Sequence, residues 1–114
     1  MCDAVPCRCS CELQQVHNLS SNCPVGSFLY RDTSDDLMHY RSLWVKLPLN
    51  GGQWHALPLY RQGQPKLPFT DGRASWEWDG NEAKPTLFPS VLCYTRDQQT
   101  GWHGFISAGR AQSC

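Results

Sequence analysis

Residues 74–92 read ASWEWDGNEAKPTLFPSVL and, after a polar interval, residues 101–114 read GWHGFISAGRAQSC. Aromatic residues, turn formers and prolines crowd so closely here that most positions are constrained. Trp76 and Trp78 flank Glu77 at the two-residue spacing that places both indoles on one face of an extended strand. That face is expected to be core. Asp79-Gly80-Asn81 supplies a turn in which the glycine carries any positive φ, while Pro85 and Pro89 hold Lys84 and Phe88 extended. In the sequel, Trp102, Gly104 and Ile106 alternate with His103 and Phe105, so His103 is expected to point away from the face that carries Trp102.

Working outward, short strands separated by turns recur along most of the chain. Ser27–Arg31, Tyr40–Leu49, Gln53–Tyr60, the Trp76 segment, Ser90–Thr95 and Trp102–Ile106 are the six candidates. Asn50-Gly51-Gly52 is a strong hairpin signal between the second and third, and Pro48 and Pro58 are expected at edges or bulges. Asp32–Asp36 reads as an acidic turn, Arg61–Gly72 as a loop, Arg96–Gly101 as a polar turn and Ala108-Gly109 as the last turn. Leu13, Val16 and Leu19 have a weak helical spacing for one or two turns. Eight Pro, nine Gly and five Trp, with no long run of helix formers, agree with a β-rich chain. The predicted architecture is all-β: a small twisted antiparallel sheet, a sandwich or a partly open barrel, over residues 28–114. Residues 1–27 are expected to form an irregular cysteine-rich arm.

The 114 residues suit one core. Ten basic against ten acidic residues leave no net field to attract nucleic acid or an anionic membrane. No apolar run reaches the length of a membrane span, and residues 1–20 hold no signal-peptide core, so the expectation is a cytosolic protein with reduced thiols. The sequon Asn18-Leu19-Ser20 is then an accident of composition.

Seven cysteines call for an explanation, and four of them fall in the arm at Cys2, Cys7, Cys9 and Cys11. Alternate residues of an extended chain sit roughly 6 to 7 Å apart, so Cys7, Cys9 and Cys11 can share a zinc only if the chain curls, with His17 as a fourth ligand. The competing readings are a packed arm with free thiols and fatty acylation.

Downstream, Ser90 or Cys93 as nucleophile, His103 as base and Asp79 or Glu77 as orienter compose a triad on paper. No nucleophile elbow, phosphate loop or HExxH motif backs it. A histidine in a small β domain is more often a hydrogen-bonded structural residue. Tyr60, Arg61, Arg73, Trp76 and Trp78 compose a possible base-stacking platform, but tryptophans needed for the core cannot also be exposed to bases.

The ordered set Trp76-x-Trp78-Asp79-Gly80-Asn81, Pro85-Thr86-Leu87-x-Pro89-Ser90-Val91 and Trp102-His103-Gly104-Phe105-Ile106-x-x-Gly109-Arg110, with Cys114 following, resembles a family of small bacteriophage and prophage proteins. Some relatives of that family carry the label ammonia monooxygenase, which nothing in these residues supports chemically. The resemblance covers residues 76–114 and, more loosely, 44–60. It implies a β-rich accessory protein in the host cytoplasm, virion association not excluded, that binds a host or phage protein without catalysis and modulates a host process or defence. It also implies a structural zinc held by a cysteine-rich knuckle upstream and by Cys93, His103 and Cys114 downstream. Residues 40–73 contain no cysteine, so the upstream ligands would be Cys7, Cys9 and Cys11 or His55, or the metal is absent. A zinc-dependent hydrolase centred on His103 and a single-strand nucleic-acid binder are the alternative functions.

Overall fold

The computed structural model describes residues 10–20, 22–34, 38–47, 53–69, 73–94 and 101–113, with Ser10, Cys11 and Tyr94 described by backbone alone. Ten strands occur among them and no helix. In chain order they are β1 (Ser10–Glu12), β2 (Gln14–Gln15), β3 (Ser27–Ser34), β4 (His39–Leu47), β5 (Gln53–Arg61), β6 (Trp76–Trp78), β7 (Leu87–Phe88), β8 (Val91–Tyr94), β9 (Gly101–Ser107) and β10 (Arg110–Ser113). They form a six-stranded sheet in the order β2-β3-β4-β5-β6-β7 and a four-stranded sheet in the order β1-β10-β9-β8. The all-β class is as expected. Two pairings, β2 with β3 and β5 with β6, are parallel, whereas the others are antiparallel.

The core lies between inward rows of alternating side chains. Leu43, Val45 and Leu47 of β4, Leu57 and Leu59 of β5, Trp76 and Trp78 of β6 and Leu87 of β7 come from the large sheet. Val91 and Cys93 of β8, Trp102 and Ile106 of β9 and Ala111 of β10 come from the small one. Strand alternation makes this possible, because a residue two positions along returns to the same face. Trp76 and Trp78 are 9% and 4% exposed, as their spacing requires.

Several local expectations are corrected. The helical spacing at residues 13–20 does not form a helix: Leu13 enters the core, and β2 pairs with β3 instead. One turn of amphipathic spacing is too short to nucleate a helix against an available strand partner. The arm, over its described part, is stitched into both sheets, with β1 on β10, β2 on β3 and the Leu13 amide donating to the Gly109 carbonyl at 2.8 Å. A division at residues 27 and 28 therefore falls inside the packed unit. Asp32, Thr33 and Ser34, expected in an acidic turn, instead continue β3 against Arg41, Tyr40 and His39, and Asp35 and Asp36 lie outside the described residues. Arg41 draws this end together, pairing with Asp32 at 2.9 Å and with Glu82.

Pro58 stands within β5 rather than at the edge of the sheet, opposite Ser42 of β4. The β6 pairing begins only at Leu59, so the missing amide interrupts no ladder on that side. The predicted hairpin joins β4 to β5 through the partners Leu47 and Gln53. Its Asn50-Gly51-Gly52 turn and Pro48 lie outside the described residues, as does the polar turn at residues 96–100.

Two turns fix how the sheets meet. Asp79 Oδ1 accepts from the amides of Asn81 at 3.1 Å and Thr86 at 3.2 Å, and Gly80, between Asp79 and Asn81, has φ 85°. The Ala108-Gly109 turn closes the β9–β10 hairpin with both residues at positive φ, 50° and 76°, a backbone that matches strand twist in a two-residue loop. Its amides donate to Thr86 Oγ1 at 2.8 Å and to the Pro85 carbonyl at 3.0 Å, which ties this hairpin to the buried Pro85 segment.

Candidate functional site

Between β7 and β8 the chain leaves the large sheet and enters the small one through a cis Phe88–Pro89 bond followed by Ser90. The β8–β9 register pairs Val91 with Gly104, Leu92 with His103 and Cys93 with Trp102. Val91, Cys93, Trp102 and Gly104 face the core, whereas Leu92, His103 and Phe105 face outward. Ser90, one residue before Val91, is on the outward side in this alternation. It meets His103 diagonally, with Ser90 Oγ 2.9 Å from His103 Nε2.

This contact is of the kind acyl transfer needs. With the imidazole proton on Nδ1, Nε2 accepts the hydroxyl proton, and the 2.9 Å separation lies within the reach required of a nucleophile and its base. Ser90 is also held from behind. The buried Trp76 indole donates from Nε1 to the Ser90 carbonyl at 3.1 Å, across the junction of the two sheets.

His103 is presented by its neighbours. Gly104 faces inward, and a Cβ there would stand 2.2 Å from the Gln112 carbonyl oxygen and 2.7 Å from the Trp102 ring. The absence of that Cβ lets the Trp102 indole lie over Gly104 and donate to Ser113 Oγ at 3.1 Å. Trp102 and Gly104 thus clamp β9 to the core on one side while His103, between them, is offered to solvent on the other.

The other expected site residues separate. Cys93 is buried on the opposite face of the sheet from His103, so the two do not converge on a shared ligand, and burial pushes its thiol up to about 11. Cys7, Cys9 and Cys114 lie outside the described residues, and Cys11 is described by its backbone alone. Among the described residues no three of His, Cys, Asp or Glu gather into a group that could hold a metal. His55 sits half-buried on β5, where desolvation lowers its pKa. Asp79 is occupied by backbone amides of its own loop, and Glu77 pairs along β6 with Phe88. The tryptophans of the proposed stacking platform are core residues; Arg61 lies over the Trp78 ring and Arg73 over Phe69.

Sequence reasoning places Ser90 and His103 in one paper triad with no motif to favour it. The signal that favours the pair is the alternation of both segments: each puts its polar residue on the outward face, and pairing of the two strands makes them neighbours. What it misses is Trp76 as the anchor of the Ser90 backbone. A separate cleft of about 450 Å³, lined by Arg41, Leu59, Arg61, Trp78, Gly80 and Glu82, includes neither member of the pair.

A family model described as BubE, bacterial ubiquitination-like system serine protease, matches residues 30–114. The comparisons with curated proteins and with solved structures returned no match.

Proposed function

The chain belongs to that family, and from this premise we propose that it is a serine peptidase of a bacterial ubiquitination-like system, with Ser90 as nucleophile and His103 as general base. The observation that carries the reading is the 2.9 Å contact between Ser90 Oγ and His103 Nε2 on an outward sheet face. This reading takes the place of the non-catalytic binding module favoured by sequence alone. It keeps His103, on which the zinc-hydrolase expectation centres, and gives it a serine as partner.

The chemistry runs in two halves. Ser90 Oγ attacks the carbonyl carbon of the scissile amide as His103 Nε2 takes its proton. The tetrahedral intermediate collapses, the C–N bond breaks, and His103 returns the proton to the departing amine, leaving an ester on Ser90. Water, deprotonated by His103, then attacks that ester and releases a carboxylic acid and the free serine. Trp76 supports both halves by fixing the backbone from which Oγ projects.

The test is covalent. A fluorophosphonate, which phosphonylates activated serines, should add one label to the full chain, located by peptide mass spectrometry at Ser90. The label should vanish in Ser90→Ala and in His103→Ala. Labelling that persists in Ser90→Ala would move the nucleophile elsewhere.

A further inference from the structure

The β8–β9 register makes a square of four outward residues. Leu92 is opposite His103, and continuing the pairing of Val91 with Gly104 by one step sets Ser90 opposite Phe105. One diagonal is the Ser90–His103 contact. The other is Leu92 and Phe105, each 50% exposed. Phe88, two residues before Ser90 and across the cis bond, is 46% exposed. These three are the exposed large hydrophobic residues among the described part of the chain; Leu92 and Phe105 are strand neighbours of the pair on β8 and β9, whereas Phe88 belongs to β7 of the large sheet and lies two residues before Ser90 along the chain. On β1 and β10 the described side chains of the outer face are polar, with Glu12, Arg110 and Gln112 exposed.

Exposed apolar side chains scattered singly need no explanation, but apolar residues confined to one spot rimmed by polar ones mark a contact surface. The occupant follows from the position. Alternate residues along a strand are roughly 6 to 7 Å apart and directly paired ones about 5 Å, so an extended polypeptide that brings a carbonyl carbon to Ser90 Oγ along this face passes over Leu92 or Phe105. β8 is also the terminal strand of its sheet, the place where an extended segment adds by backbone pairing and offers alternate side chains to the same face.

We propose that Leu92 and Phe105 form the specificity surface of this peptidase, taking apolar side chains within about two residues of the scissile bond in an extended substrate segment. The proposal rests on the reading of Ser90 and His103 as the catalytic pair. Its substrate class is an uncharged, apolar stretch of polypeptide, such as an unstructured tail or linker.

The experiment uses the full chain and a defined mixture of unstructured peptides, with cleaved bonds identified by mass spectrometry. Cleavage should concentrate where Leu, Ile, Val, Met or Phe lies within two residues of the broken bond. Two peptides differing only by Leu against Ser at the preferred position should then differ in kcat/KM. In Leu92→Ser and Phe105→Ser, each shown to be folded by circular dichroism, that ratio should fall roughly tenfold, the size expected when one apolar contact is removed. Leu92→Lys should further raise the relative cleavage of a peptide carrying Glu at that position. Labelling of Ser90 together with cleavage indifferent to neighbouring side chains would overturn the specificity surface and leave the peptidase reading standing. Absence of both labelling and cleavage would overturn both.

Discussion

The Trp76 indole donates its N–H to the carbonyl of Ser90, 14 residues downstream, at 3.1 Å. The bond spans the place where the chain passes from one sheet to the other, so a core side chain sets the backbone of the candidate nucleophile. Trp78, two residues along on the same inward face, has its Nε1 buried with no hydrogen-bond partner among the described residues. Phenylalanine at each position keeps an aromatic ring and removes only the donor and part of the indole. Trp76→Phe should cost about 1 kcal/mol of stability for the lost bond and lower kcat more than it changes KM, because it loosens Ser90 without touching substrate. Trp78→Phe removes an unsatisfied polar atom and should be neutral within about 1 kcal/mol, apart from lost ring volume. Denaturant titration and steady-state kinetics on the two variants check both; equal effects would remove Trp76 from a positioning role.

Ser90 and His103 act as a unit in the proposed reaction, so their removal should not be additive. Ser90→Ala and His103→Ala should each lower peptidase kcat by about a thousandfold or more, and the double variant should fall little further. Both side chains stand on the outward face of the small sheet, so the melting temperatures should stay close to that of the parent. A double variant that multiplied the two losses would mean that the residues work independently.

How much of this was legible beforehand depended on whether the signal was local. Trp76 and Trp78, the Gly80 turn, the Ala108-Gly109 turn and the inward and outward faces of β9 follow from two-residue alternation and turn chemistry within a few residues. They occur where expected. β1 and β2 left no such trace. Gln14 and Gln15 are exposed, and their strand exists because β3 offers backbone partners. β1 pairs with β10, about a hundred residues away in sequence, a distance at which no pattern in either segment specifies the other. The Ser90–His103 contact belongs between these cases. Alternation gives the face of each residue, but their juxtaposition depends on register, and a polar connection of residues 95–100 does not announce which residue of β8 will oppose which of β9. Cys93 shows the converse. One position from Leu92, it faces inward, and its spacing to His103 in sequence says nothing of the sheet that separates them.

Gly104 offers a test of the clamp behind His103. Alanine there must displace the Gln112 carbonyl, 2.2 Å from the new Cβ, and the Trp102 ring, 2.7 Å away. The first is backbone in a paired strand and the second a buried indole bonded to Ser113, so neither yields cheaply. Overpacking of this kind costs about 1 to 3 kcal/mol, and the upper end is expected here. Gly104→Ala should therefore unfold at lower denaturant, shift Trp fluorescence to longer wavelength as Trp102 is pushed from its site, and lower peptidase kcat by moving His103. Gly63, whose added Cβ meets none of the described residues within 4 Å, has φ 83°, so an alanine there should cost only the backbone strain and leave the fluorescence unchanged.

Cys93 gives the chain a defined alkaline weakness. Its thiol is pushed from 9.0 to about 11 by burial, which disfavours the thiolate. The unfolded chain exposes that thiol and releases its proton at lower pH than the folded chain does. The stabilisation is therefore complete below about pH 9 and is lost as pH rises through about 11. Such a difference between the folded and unfolded chain corresponds to about 2 to 3 kcal/mol. Titrating Tyr and Lys residues also weaken the fold in this range, so the measurement is a comparison with Cys93→Ala, which shares them. The alanine variant starts lower by about 1 to 2 kcal/mol for the lost buried sulfur, and the gap between it and the parent should close and then reverse as pH rises from about 9 to about 11. Iodoacetamide provides the second readout: at about pH 8 the thiolate is scarce and the sulfur enclosed, so Cys93 should alkylate much more slowly in the folded chain than in urea. A constant gap across the pH range, together with rapid alkylation of the folded protein, would show Cys93 to be exposed rather than part of the core.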